Sequence, residues 1–207
     1  MDWIALPKGF VLGVSVAAPV GPIGLLTIRR TITHGYRLGL STGLGAATAD
    51  ATYGLIAAFG LTAIMSALVD HADAVRLLGG LFLLYLGARG LAHARKAVDA
   101  SAPIADEPGA LATYVQSVGL TLTNPLTILS FVAMFAGIGI VKAGAEVVTS
   151  LALVAGVAAG SASWWFFLVG LMVAIRHRLS ASAIAAINLI SSGSILAFGG
   201  IALWTAR

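Results

Sequence analysis

One carboxylate of this chain stands deep inside an apolar segment, and two other apolar segments are interrupted by proline. The carboxylate is Asp50, within the stretch 38–62. It lies about 12 residues into that stretch, roughly 18 Å along a helix rising about 1.5 Å per residue. Asp50 is the only acidic residue well inside such a stretch. A carboxylate at that depth of a bilayer costs at least about 2.5 kcal/mol on insertion scales, so it needs a reason to be there. Gly43, Ala46, Ala47, Tyr53 and Gly54 share its helix face. Small residues on one face admit a second helix at close range. Asp50 is therefore expected to point into a helix bundle, with Tyr53 within hydrogen-bonding reach. Two readings stand: a neutral structural acid, or a carboxyl that binds a proton or a cationic solute group during transport.

The breaks are Pro19-Val20-Gly21-Pro22 in the first apolar stretch and Thr123-Asn124-Pro125 in the fourth. Proline removes a backbone donor, and glycine loosens the chain between two prolines. A broken helix leaves N–H and C=O groups that lipid cannot satisfy, so it persists only inside protein or beside a wet cavity. A single proline is most simply a kink. Breaks at corresponding places in two halves of a chain point instead to a transporter's binding site. Pro19, Gly21, Pro22, Asp50, Tyr53, Thr123, Asn124 and Pro125 are thus the candidate substrate-binding and transport residues. Thr27, Thr48, Thr52, Gln116, Thr121, Thr123 and Ser163 add polar groups for a solute path, or for ordinary interhelical hydrogen bonds.

Other chemistries lack their residues. The chain has no cysteine, which removes disulfides, thiolate metal sites and dithiol electron transfer. Its histidines, His34, His71, His93 and His177, fall between the apolar stretches, so neither a metal cluster nor a nucleophile–base pair is expected at membrane depth. No glycine-rich loop ends in Lys-Ser or Lys-Thr, and ATP hydrolysis by this chain is not expected. No cofactor is expected, and the chain does not read as an enzyme. The net charge of +4 and pI of 9.9 do not imply nucleic acid, because the basic residues sit at the ends of apolar stretches, where they set topology.

The elements that position these groups follow from composition. Of 207 residues, 59% are hydrophobic and 10% charged, against about 25% charged in a soluble domain. The expected partner over most of the surface is a lipid bilayer. Stretches of about 20 apolar residues fall near 9–28, 38–62, 74–92, 111–135, 147–174 and 184–205. A cleavable signal peptide is the rival reading of the first, but the apolar run continues to Ile28 with no soluble domain after it. The expectation is an all-α integral membrane fold of six transmembrane helices. Residues 1–92 form one three-helix unit, 93–110 a polar linker, and 111–207 a second unit. Loops after the first, third and fifth spans are expected to hold Arg29, Arg30, Arg37, Arg89, Arg95, Lys96, Arg176 and Arg178. The opposite face holds Lys8, Arg76, Lys142 and Arg207. That bias predicts a cytoplasmic linker and both termini outside.

The halves resemble each other. Gly35, Gly39, Gly43 and Ala47 recur at four-residue spacing in the second span, as Ala152, Gly156 and Gly160 do in the fifth. Arg76-Leu-Leu-Gly-Gly precedes Gly87-Ala88 in the third span; Asn188-Leu-Ile-Ser-Ser precedes Gly199-Gly200 at the same interval in the sixth. Three spans per half is odd, so two copies must insert upside down relative to each other, as inverted repeats of transporters do. The ladders read as internal packing devices, and one that faces outward would pair two copies of the chain into a homo-oligomer. Trp3, Trp164, Trp165, Trp204, Tyr36 and Tyr114 read as interfacial belt or core bulk.

The order and spacing of several motifs resemble the LysE/RhtB translocator family. They are Phe10 before Pro19-Val20-Gly21-Pro22, Arg29-Arg30, Gly43-Leu-Gly-Ala-Ala-Thr-Ala-Asp50-Ala-Thr-Tyr53-Gly54, Leu83-Leu-Tyr85-Leu-Gly87, Thr123-Asn124-Pro125, Gly160-Ser161-Ala-Ser-Trp164 and Ser192-Gly193 before Phe198-Gly199. The likeness covers nearly the whole chain, with Pro-Val-Gly-Pro where many members read Pro-Gly-Pro. It implies a multi-pass exporter of the inner or plasma membrane. That exporter would take amino acids or related metabolites as small-molecule substrate and use a proton or other ion gradient. The alternatives are an exporter of another solute, such as a cation, and a non-transporting membrane scaffold or accessory subunit, which leaves the buried acid and paired breaks without a purpose.

Overall fold

The computed structural model describes residues 4–19, 21–59, 71–96, 108–124, 127–128, 130–131 and 147–205. Among them the chain is helical throughout. Its helices are α1 (Ala5–Ala17), α2 (Pro22–His34), α3 (Tyr36–Ala58), α4 (Ala72–Lys96), α5 (Ala110–Leu122), α6 (Val147–Arg176) and α7 (Ala181–Trp204). The expected linker at 93–110 is described only at its two ends: α4 runs on to Lys96 and α5 starts at Ala110. Residues 97–107, Pro125, Lys142, Trp3 and Arg207 lie outside the described residues.

Among the described residues, two helices are long and apolar enough to cross a bilayer, Val147–Arg176 and Ser182–Trp204, and the bent pair α1–α2 makes a third if taken as one span. α3 has the length, 23 residues, or about 35 Å of helix. Its Gly, Ala and Thr content keeps its hydropathy low. Thr42, Thr48 and Thr52 fold their hydroxyls back onto the Leu38, Leu44 and Thr48 carbonyls, so the helix carries polar residues without orphaned hydroxyls.

The first stretch is not one straight span. α1 ends where the Ala18 N–H bonds the Val14 carbonyl, and Pro19 has no N–H to continue the ladder. Gly21 N–H turns back to the Pro19 carbonyl, Pro22 opens α2 at its first position, and the two helices diverge by 78°. Pro22 fits there because that N–H would lack an intrahelical acceptor in any residue. α2 runs six residues beyond the expected boundary at 28 and closes at Gly35, whose φ of 86° favours glycine.

This extension overturns one expectation. Arg29 and Arg30 are not loop residues: both lie on α2 and are buried, Arg30 with 1% of its surface exposed. Arg30 reaches Thr42 Oγ1 on α3 at 3.2 Å and Gln116 Oε1 on α5 at 2.9 Å. The apolar reading of the stretch stopped at the first charge, whereas the helix continues because neighbouring helices supply oxygens for the guanidinium.

Small residues set the helix contacts. Gly9 and Gly13 of α1 abut the Leu153 and Val157 carbonyls of α6, and Gly156 and Gly160 of α6 abut the Leu6 and Phe10 carbonyls of α1. A Cβ at any of the four would collide with main chain, so this is a backbone-to-backbone seam, and its residue order makes the two helices parallel. α3 and α5 also run parallel, with Gly45 against the Tyr114 carbonyl and Tyr53 beside Leu122. α3 and α6 are antiparallel: Gly43 meets Trp165, Gly54 meets Val157, and Ser150 Oγ donates to the Ala58 carbonyl. α4 and α7 are antiparallel through Gly80 with Gly199 and Gly87 with Leu196. At one end, Arg76 on α4 bonds Asp73 Oδ1 and the Thr205 carbonyl past α7.

Candidate functional site

Asp50 sits on α3 where α6 crosses it, 3% exposed. Ser161 Oγ on α6 donates to Asp50 Oδ2 at 2.6 Å. The expected Tyr53–Asp50 hydrogen bond is not made. Tyr53 Oη instead donates to the Leu122 carbonyl at 2.6 Å, and the ring packs on Phe131 with centroids 5.3 Å apart. Tyr53 shares the helix face of Asp50, but its hydroxyl goes instead to Leu122, the last residue of α5, where a helix's final carbonyls lack intrahelical donors.

Asp50 lines a cavity of about 60 Å³. The first break contributes Pro19 and Gly21, with Val16 and Ala17 before it and Ile23 and Gly24 after it. The second contributes Thr121 and Asn124, followed by Thr127 and Ser130. Ala46 and Trp165 complete the wall. The candidate residues thus divide. Pro19, Gly21, Asp50 and Asn124 meet at one cavity. Pro22 is buried beside it at the start of α2, Thr123 caps α5 by donating to the Gly119 carbonyl at 2.8 Å, and Tyr53 braces the end of α5. Ser161 and Trp165 were not among the candidates. Ser161 stands in the Gly160-Ser161-Ala-Ser-Trp164 motif and Trp165 follows it, but neither their residue types nor their four-residue spacing pointed to Asp50.

Backbone polarity at the cavity is ordered. α2 begins there with no side-chain cap, and the N–H groups of Ile23 and Gly24 precede the first i→i−4 bond, which Leu25 makes to Gly21. Its partial positive charge favours an anion. α5 ends there, where partial negative charge and the Asp50 carboxyl favour a cation. Two apolar clusters adjoin the cavity. One contains Leu26, Leu83, Leu86, Leu120, Leu168 and Ile195; the other contains Leu12, Tyr53, Ala57, Ile128, Phe131 and Val157. Among the described residues, no group of three or more His, Asp and Glu side chains could hold a metal ion.

Interrupted helices around a polar cavity, inside an all-helical apolar chain, define a membrane protein built on the pattern of a solute carrier. Residues 14–206 match the family model for the LysE type translocator. The chain belongs to that family. It is 30% identical over 191 residues to the protein named "Putative amino acid efflux protein YcgF" of Bacillus subtilis, covering 91% of this chain and 90% of that protein. It is also 30% identical over 115 residues to the leucine efflux protein of Klebsiella pneumoniae, covering 56% and 54% of the two chains. A third relative, the uncharacterized membrane protein YahN of Escherichia coli, is 28% identical over 148 residues, covering 69% and 63%. No solved structure matches the chain significantly.

Proposed function

We propose that the chain is a secondary exporter of amino acids or closely related small metabolites, driven by a proton or other ion gradient across the inner membrane. The observation that carries this reading is the meeting of Asp50 with both helix breaks at one cavity. Amino-acid efflux names among its relatives agree with it. A zwitterion suits the site: its carboxylate at the uncapped start of α2, its ammonium between Asp50 and the end of α5. The Asp50 carboxyl then exchanges a proton for the ammonium group, which couples the solute to the gradient.

The six-span, two-repeat architecture belongs to the same proposal. Exchanging the first half for the second maps the parallel α1–α6 contact onto the parallel α5–α3 contact, and returns α3–α6 and α4–α7 to themselves. The observed pairing directions support that inverted relationship. Both termini outside and a cytoplasmic linker complete it, with Arg37 and Arg176 at the inner end. Export then proceeds as the two apolar clusters part in turn, one on each side of the cavity.

The test is efflux from proteoliposomes preloaded with labelled amino acids, with and without an imposed pH gradient. Gradient-dependent release above empty liposomes is expected. Release that equals the empty-liposome rate for every amino acid would leave the scaffold reading in place.

A further inference from the structure

The walls of the cavity are uneven in size. Around Asp50 they are built mainly from short side chains such as Ala17, Ala46 and Thr121, and Trp165 is the one aromatic among the described residues that line it. Trp165 stands one helical turn after Ser161, the residue bonded to Asp50. Gly43 seats it from α3: a Cβ there would lie 2.6 Å from Trp165 Cβ and 2.9 Å from its Cγ. The ring is 4% exposed, and its N–H meets no acceptor among the described residues. No hydrogen bond within the described residues accounts for tryptophan at this position, and what its ring gives the wall is volume.

A cavity of about 60 Å³ holds a few water-sized groups, far below the several hundred cubic ångströms of a site for larger ligands. We infer that Trp165 is the specificity-determining wall of the solute site, restricting it to amino acids with short side chains, such as alanine and threonine, and turning away phenylalanine. The inference rests on the exporter reading above and adds to it a size limit and the residue that imposes it.

The experiment is alanine counterflow in proteoliposomes, with unlabelled alanine, threonine, leucine and phenylalanine as competitors. For the wild type, phenylalanine should compete at least about 10-fold more weakly than threonine, the order of discrimination that pocket size alone supplies. In Trp165→Ala that ratio should fall by about 10-fold or more. Trp165→Phe keeps most of the bulk and breaks no hydrogen bond, and should fall between the two. If Trp165→Ala fails to insert, Trp165→Leu and Trp165→Phe decide the question on the same ratio. A ratio unchanged in inserted variants, or a wild type that takes phenylalanine as readily as threonine, overturns the size limit while leaving an exporter. A wild type that exchanges none of the four overturns the exporter reading, and the inference falls with it.

Discussion

Ser161 Oγ lies 2.6 Å from Asp50 Oδ2, joining the middle of α6 to the middle of α3 beside both helix breaks. Each residue belongs to a different half of the chain, so in the proposed rocking cycle this bond crosses the moving interface. Ser161→Ala leaves a buried carboxyl without its donor, a loss of about 1–3 kcal/mol. The expected result is a lower detergent melting temperature together with altered transport. A variant equal to wild type in both would show that the bond is incidental.

The first break depends on its two prolines unequally. Pro19 stops α1 because it lacks the N–H that would continue the ladder, whereas Pro22 occupies a position where no acceptor awaits an N–H. Pro19→Ala should let α1 grow into the cavity wall and suppress export while membrane insertion survives. Pro22→Ala should be much milder. Equal effects of the two substitutions on solute counterflow would mean that the break is not held as described.

The α1–α6 seam makes a stability prediction independent of transport. Gly156 faces the Leu6 carbonyl of α1 without room for a Cβ. Gly156→Leu should therefore destabilise the fold by about 1–3 kcal/mol or more, read as earlier aggregation on heating in detergent. Gly200→Ala has open space at its Cβ position and should be close to neutral. Similar melting curves for the two would argue against the close seam.

Orientation is testable because the chain has no cysteine of its own. Single cysteines at Ala100 and Ala206 should divide under a membrane-impermeant thiol reagent added to intact cells. Ala206→Cys is expected to react and Ala100→Cys to be spared. The reverse pattern would invert the topology, and reaction at both would require an even number of spans between them.

Much of the site was legible in the sequence because its parts violate the local rule. An acid amid Ala and Gly, and prolines within apolar stretches, stand out from the residues around them, and Asp50, Pro19, Gly21 and Asn124 were found that way. Arg29 and Arg30 were misplaced because a charge beside an apolar stretch reads as its end. Only tertiary contacts show that Thr42 and Gln116 receive Arg30. The Tyr53 partner was missed for a similar reason, since helix spacing brings Tyr53 near Asp50 but says nothing of the Leu122 carbonyl at the end of α5. Gly9 and Gly13 pass as ordinary residues of an apolar stretch until α6 is laid against them. Ser161 and Trp165 are tied to Asp50 and its cavity only once α6 crosses α3.

In the proposed cycle the Asp50 carboxyl couples solute movement to the gradient. Asp50→Asn keeps the shape of the side chain and its ability to accept from Ser161, but it cannot gain or lose a proton. Wild type and variant would be reconstituted side by side, measuring amino-acid efflux under an imposed pH gradient and exchange without one. The variant is expected to insert and fold, to lose uphill, gradient-driven export, and to keep at most a downhill leak. Full gradient-driven export by Asp50→Asn would contradict the account, and coupling would have to reside in another group.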